Sequence, residues 1–420
     1  MKSILLLTIL TIPVIVYAGG PRHVDGNTPV RYTNPNVTLN FDVGTLGART
    51  NSEANDFVIQ SMALWNDVTT STINLSQSNN LSTDIDHTNY QNLLFPVGGG
   101  ISHPSLSDGQ NPVIYDINGQ LIDDFIGAGS SNVIVGLATS VFTPGTGSYT
   151  TGYVLLNGKN PIDTTPVSDA RLSYTIAHEI GHMIGLDHSQ LNMDDNNKNC
   201  ALAGDKYPVM YPVFCGQPSN VLHPDDVAAI SAQYPEQNVT STFGEINGTL
   251  VDPAGNHQAG LNIFVTNQQS GEVYSVVSDY LKQGTGFFSM LLPAGTYTLR
   301  AKNIVAEFKG LSSVGPYATN ASDTSFNYGT VVINFTGTTP ASNELLTVTT
   351  GEATTVSMVI DGSGTFTTGN TMTLNSTTND SNNSSGGMLS PVMLLFMLIG
   401  LFRRAFSHKK YNYSDTFLKN

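Results

Sequence analysis

The chain has 420 residues, 12% of them charged and 40% hydrophobic, with a net charge of -15. The apolar share suffices for buried cores, which excludes general disorder, and the length favours two domains. With Lys+Arg 17 against Asp+Glu 32 and no basic stripe ahead of the C-terminus, nucleic acid is excluded as a partner.

Met1 and Lys2 lead into the apolar run 4–16 and the small residue Ala18. That is the order of a secretory signal, so residues 1–18 are predicted to be a signal peptide, with Gly19 opening the exported chain. A membrane anchor is the rival interpretation, but the run is short and holds Pro13.

Residues 19–238 mix strand and helix signals and are predicted to form an α/β domain, a twisted mixed sheet with three helices. "VTLNFDV" reads as a strand, and "ANDFVIQSMALWNDV" sets Phe57, Ser61, Leu64, Trp65 and Val68 at helical spacing. "YDINGQLIDD" offers Asp116, Asn118, Asp123 and Asp124 around an Asn-Gly turn, which suits either a calcium loop or a plain hairpin turn. "NVIVGLATSVF" and "TGYVLLN" read as strands joined by "TPGTGSYT". "VSDARLSYTIAHEIGHMIG" is a helix capped by Ser168 or Asp169 and ended by Gly185. "HPDDVAAISAQYP" is a third, with Pro224 in its first turn and paired acids near the positive end of the helix dipole.

The chemistry sits in "HEIGHMIGLDH". On a helix, His178 and His182 at i, i+4 share one face, and Glu179 is offset enough to reach a metal-bound water without ligating. Gly185 lets the chain turn back and bring His188 to the same ion. Three neutral imidazoles and an open fourth position describe one catalytic zinc. Any one of these residues alone is more simply a satisfied side chain on a half-buried helix; the full constellation is not.

Cys200 and Cys215 are the only cysteines. In an exported chain they are expected to form a bridge, with two free buried thiols as the alternative.

Residues 243–362 lose the helix signals and carry short alternating runs, "GEINGTLVD", "LNIFVTN", "EVYSVVS", "GFFSMLL", "TYTLRAK", "ELLTVTT" and "TTVSMVID", the spacing of an antiparallel sandwich. Residues 363–387 read as a Ser/Thr/Asn-rich linker, 388–402 as a short apolar helix and 403–420 as a basic tail. As a helix, 388–402 would span about 22 Å, short of a hydrocarbon core of about 30 Å.

The zinc motif, completed by His188 and followed by Ser189, resembles that of the metzincin metalloproteases, and within them the matrixins, over roughly residues 29–235. The resemblance implies a Met-turn at "VMYP" with Met210 beneath the metal. It also implies a wall of Tyr211, Pro212, Val213 and Phe214 around a pocket for the apolar side chain after the scissile bond. "LATSVFTPGTG" is similar to the matrixin edge strand that pairs with an extended substrate, and "MALWNDVT" to part of the first helix. Met210 lies 22 positions after His188, farther than in matrixins, because "NMDDNNKNCALAGDKYP" is inserted. Residues 137–142 and 152–157 hold no histidine for a second, structural zinc, and no cysteine precedes the catalytic helix to hold the enzyme latent.

"INGTLVDPAGNHQAGLNIFVTNQQSG" resembles the carboxypeptidase-regulatory-like, prealbumin-type Greek-key fold. The C-terminal order of Gly386 and Gly387, apolar segment and Arg403 with Arg404 resembles the GlyGly-CTERM sorting tails of Gram-negative bacteria. That resemblance implies transient membrane anchoring and cleavage near Gly386 and Gly387 by a sorting protease. The chain departs from it by continuing sixteen residues past the arginines, and permanent anchoring is the alternative.

The expected protein is an extracellular or cell-surface zinc endopeptidase acting on extended polypeptides. The alternative is a surface adhesion protein with a catalytically idle metzincin scaffold. The sandwich carries no catalytic motif, so a chain ending near Asn238 is expected to keep peptide hydrolysis, provided it folds.

Overall fold

The computed structural model describes residues 20–94, 109–159, 168–191, 206–212, 214–216, 220–252, 254–303, 313–314, 317–318, 345–359 and 366–373. The chain divides into two units, Met1–Ser376 and Thr377–Asn420, and every described residue lies in the first. The signal segment 1–18 and everything from residue 374 on, including Gly386, Gly387 and the apolar run 388–402, fall outside the described residues. Among the described residues no helix is long and apolar enough to cross a membrane.

The N-terminal part is built on five strands: β1 (Asn36–Phe41), β2 (Asn74–Gln77), β3 (Pro112–Asp116), β4 (Gly136–Phe142) and β5 (Tyr149–Asn157), in the order β2-β1-β3-β5-β4. All neighbours are parallel except β4, which runs antiparallel to β5 at the edge. Central strands of such a sheet are buried on both faces and so read as continuous apolar runs. Along β5, Val154 and Leu156 enter the main core, while Tyr153 and Leu155 join a second cluster on the opposite face.

The three expected helices form: α1 (Asn51–Asn66), α3 (Asp169–Met183) and α4 (Pro224–Gln233). Thr50 and Glu53 make a reciprocal capping box that starts α1. Ser168 caps α3 by accepting from Arg171 N. The lone tryptophan, Trp65, locks α1 onto α3 by donating from Nε1 to Ala177 O at 3.0 Å.

"YDINGQLIDD" does not form the hairpin turn that was one of its two expected forms. It is the end of β3, a left-handed Gly119 and a short helix α2 (Gln120–Ile126). Asp116 accepts from Gly119 N and Ile122 N, each at 3.0 Å, and Asp123 accepts from Ser131 N at 2.7 Å. Backbone N–H groups of the loop thus meet both Asp116 oxygens and one of Asp123. Among the described residues the acids do not gather at metal-ligand distance.

The C-terminal part has two four-stranded sheets. One has the order β8 (Val273–Val277), β7 (Leu261–Asn267), β10 (Gly295–Asn303), β11 (Leu346–Val348); the other β9 (Phe287–Pro293), β6 (Phe243–Val251), β12 (Glu352–Val359), β13 (Phe366–Thr373). All seven expected strands are present. Two features differ: β6 and β12 pair in parallel, and β13 lies in the stretch expected to be linker from residue 363, paired antiparallel to β12. Across the junction near 238–243, one buried cluster runs from Trp65, Ile176 and Met210 through Ile230 to Ile246, Val276 and Tyr297.

Candidate metal centre

Helix α3 presents His178, Glu179 and His182, all buried. The helix stops where sequence places the stop: Gly185 has φ +99°, a left-handed conformation, and a side chain there would also meet Gln233 Nε2 at 2.7 Å. Leu186 N then donates to Gly181 O at 2.9 Å, and the chain returns with His188 toward the helix.

One nitrogen from each of His178, His182 and His188 lies within 4.8 Å of the others. His178 Nδ1 lies 2.7 Å from Val209 O and His182 Nδ1 2.9 Å from Leu186 O. A carbonyl only accepts, so both Nδ1 atoms donate, which fixes the tautomer and leaves the Nε2 lone pairs for an ion. His182 Nε2 and His188 Nε2 stand 3.1 Å apart. Nitrogens about 2.0–2.1 Å from a tetrahedral zinc are separated by about 3.3 Å, so the donor set fits such an ion. Burial lowers the His178 pKa to about 4 and holds that of His182 well below its usual value, favouring neutral imidazoles.

Glu179 is 7% exposed. Burial pushes its carboxyl up to about 8, against the pull of Arg22. Room for it comes from Gly136 on β4, where a methyl group would meet Glu179 Cγ at 3.0 Å and Thr175 Cγ2 at 2.9 Å.

Met210 lies directly under the helix, its Sδ 2.3 Å from where a side chain on Gly181 would begin. The turn that carries it is held by α4: Asp226 accepts from Val209 N at 2.7 Å, Met210 N at 3.0 Å and His223 N at 3.1 Å. Val209 in turn receives the His178 Nδ1 bond, so α4 steadies the first histidine through one intervening turn.

A cleft of about 610 Å³ runs along α3 and β4, lined by the three histidines and Glu179. Of the expected wall, Pro212 and Phe214 line it. Tyr211 is instead buried against Tyr207, with ring centroids 4.6 Å apart, and Val213 lies outside the described residues. Tyr174, absent from the sequence expectations, donates its hydroxyl to Tyr211 O and packs on Phe214 at 5.1 Å. Its position one turn before His178 was the available signal. Arg22 and Arg171 also line the cleft without having been anticipated. Arg171 lies on the helix face that carries Glu179, whereas nothing in sequence joins Arg22 to Ala138, which accepts from its Nη2 at 2.7 Å.

Cys215 is buried and disulfide-bonded; Cys200 lies outside the described residues. No model of a known protein family matches the chain, and no curated protein does; the case for its chemistry rests on the three histidines, Glu179 and the cleft they line.

Proposed function

We propose that the chain is an exported zinc endopeptidase of matrixin-like type, acting on extended polypeptides at the extracellular face or cell surface, with a prealbumin-like sandwich as its second part. The observation that carries this reading is the convergence of His178, His182 and His188 beside a buried Glu179 in an open cleft. The three histidines would hold the ion, and zinc, when bound, supplies Lewis acidity for the scissile carbonyl and lowers the pKa of the attacking water. Glu179 accepts the proton of that water and passes it to the leaving amine. Edge strand β4 offers its free side to an extended substrate, and Pro212 and Phe214 border the pocket for the side chain after the cut.

Azocasein hydrolysis tests the reading, measured for the chain as isolated, after phenanthroline treatment, and for Glu179→Ala. Loss of a general base is expected to cost about 10²–10⁴-fold. Equal activity in all three samples rejects the proposal.

A further inference from the structure

Two guanidinium groups bracket the centre, and neither is used by the mechanism above. Arg171 lies two turns ahead of Glu179 on α3, about 12 Å along the axis. Among the described residues its Nε is buried without an acceptor. At the other end of the cleft, Arg22 follows a short pairing of Pro21 with Leu186, and its backbone N–H donates to Gly185 O at 2.9 Å. Its Nη2 donates to Ala138 O on β4, and its Nη1 is buried with no acceptor. The direction of β4 along the helix separates the two ends. Gly136 sits against Thr175 and Glu179, and Gly152 on the adjoining strand sits against Met183, one turn farther on.

Both groups line the cleft, where the only carboxylate among the described residues is Glu179. The rest of the lining is apolar, aromatic or neutral polar apart from the three histidines. A cationic cleft on a chain of net charge -15 is not a by-product of composition. Buried guanidinium N–H groups without acceptors are costly unless a ligand completes them, and the ligand that suits their forked geometry is a carboxylate.

We infer that the cleft selects acidic polypeptide segments, with substrate carboxylates received by Arg22 at one end and Arg171 at the other. This rests on the endopeptidase reading for its reaction and adds the substrate class. An extended strand advances about 3.3 Å per residue, so Arg171 meets a side chain two to four residues from the cleaved bond. The pocket bordered by Pro212 and Phe214 takes the apolar side chain in between.

The test compares kcat/KM of the zinc-loaded full chain on two extended peptides that differ only in carrying glutamate or glutamine two and three residues either side of the central bond. The glutamate peptide is expected to be preferred roughly tenfold or more. The preference should persist in Arg171→Lys, weaken as salt is raised, and vanish when Arg22→Gln and Arg171→Gln are combined. Equal kcat/KM on both peptides in the unsubstituted chain overturns the inference without any variant having to fold. If neither peptide is cleaved, the endopeptidase reading has failed, and the affinity of the same chain for the two peptides by fluorescence anisotropy decides the ligand chemistry separately. Tighter binding of the glutamate peptide then supports it, and equal affinity overturns it.

Discussion

Ser275, on a strand of the sandwich, donates its backbone N–H to Asp225 Oδ1 at 2.9 Å, while Asp225 Oδ2 accepts from Ser189 Oγ at 2.7 Å. Ser189 follows the third histidine directly, so one buried carboxylate joins the His188 loop to the second part of the molecule. Asn262 Nδ2 adds a bond to Gln190 O at 3.2 Å. The sandwich therefore buttresses the loop that carries His188, a contact that a chain ending near Asn238 would lose.

Removal of Asp225 leaves the Ser275 N–H without its acceptor in a buried site and takes from the Ser189 hydroxyl its shortest hydrogen bond. Asp225→Ala is expected to lose about 2–3 kcal/mol of stability and to weaken zinc retention, while truncation near Asn238 is expected to be worse on both counts. Urea unfolding and zinc titration measure the two effects; a truncated chain that binds zinc as tightly as the intact one contradicts this account.

Gly181 is expected to invert an ordinary rule. Within a helix Gly→Ala usually stabilises by about 1 kcal/mol, but here the new methyl group would collide with Met210 Sδ. Gly181→Ala should cost about 1–3 kcal/mol through overpacking. Combined with Met210→Ala, which makes room, it should cost less than the sum of the two single changes. Strict additivity would show that the two residues do not meet.

Burial raises the Asp225 pKa to about 7 from 3.8. Because the folded value lies above the unfolded one, the group's contribution to stability is fully present below the unfolded pKa and is lost as pH rises through about 7. Asn keeps one acceptor and one donor but does not titrate. The stability of the unsubstituted chain relative to Asp225→Asn is thus expected to fall between pH 4 and pH 8. Urea midpoints for both chains across that range measure it, and a gap that is flat or widens with pH has the wrong sign.

Asp116 takes up backbone N–H groups of its own loop, so adding EGTA should leave the melting temperature unchanged. Asp116→Ala should nonetheless destabilise by about 2 kcal/mol. A fall in melting temperature with EGTA, reversed by calcium, would show instead that the loop holds a calcium ion.

The sequence by itself determined what depends on neighbours along the chain. Helix periodicity put His178 and His182 on one face with Glu179 offset beside them, Gly185 marked a left-handed stop, and alternation between turn residues marked seven strands of the sandwich. Local cues erred where the same cue serves two purposes: the Asn-Gly of "YDINGQ" opens a helix rather than a hairpin, and Asp225 and Asp226, read as dipole-stabilising acids, are buried hubs. Tertiary structure alone decided the rest. It placed Met210 under Gly181, carried Arg22 back to Gly185, and put Arg22 and Arg171 along one cleft. Those relations join residues far apart in sequence through single atoms in close packing, and no periodicity or composition records which distant atom will fill a given gap.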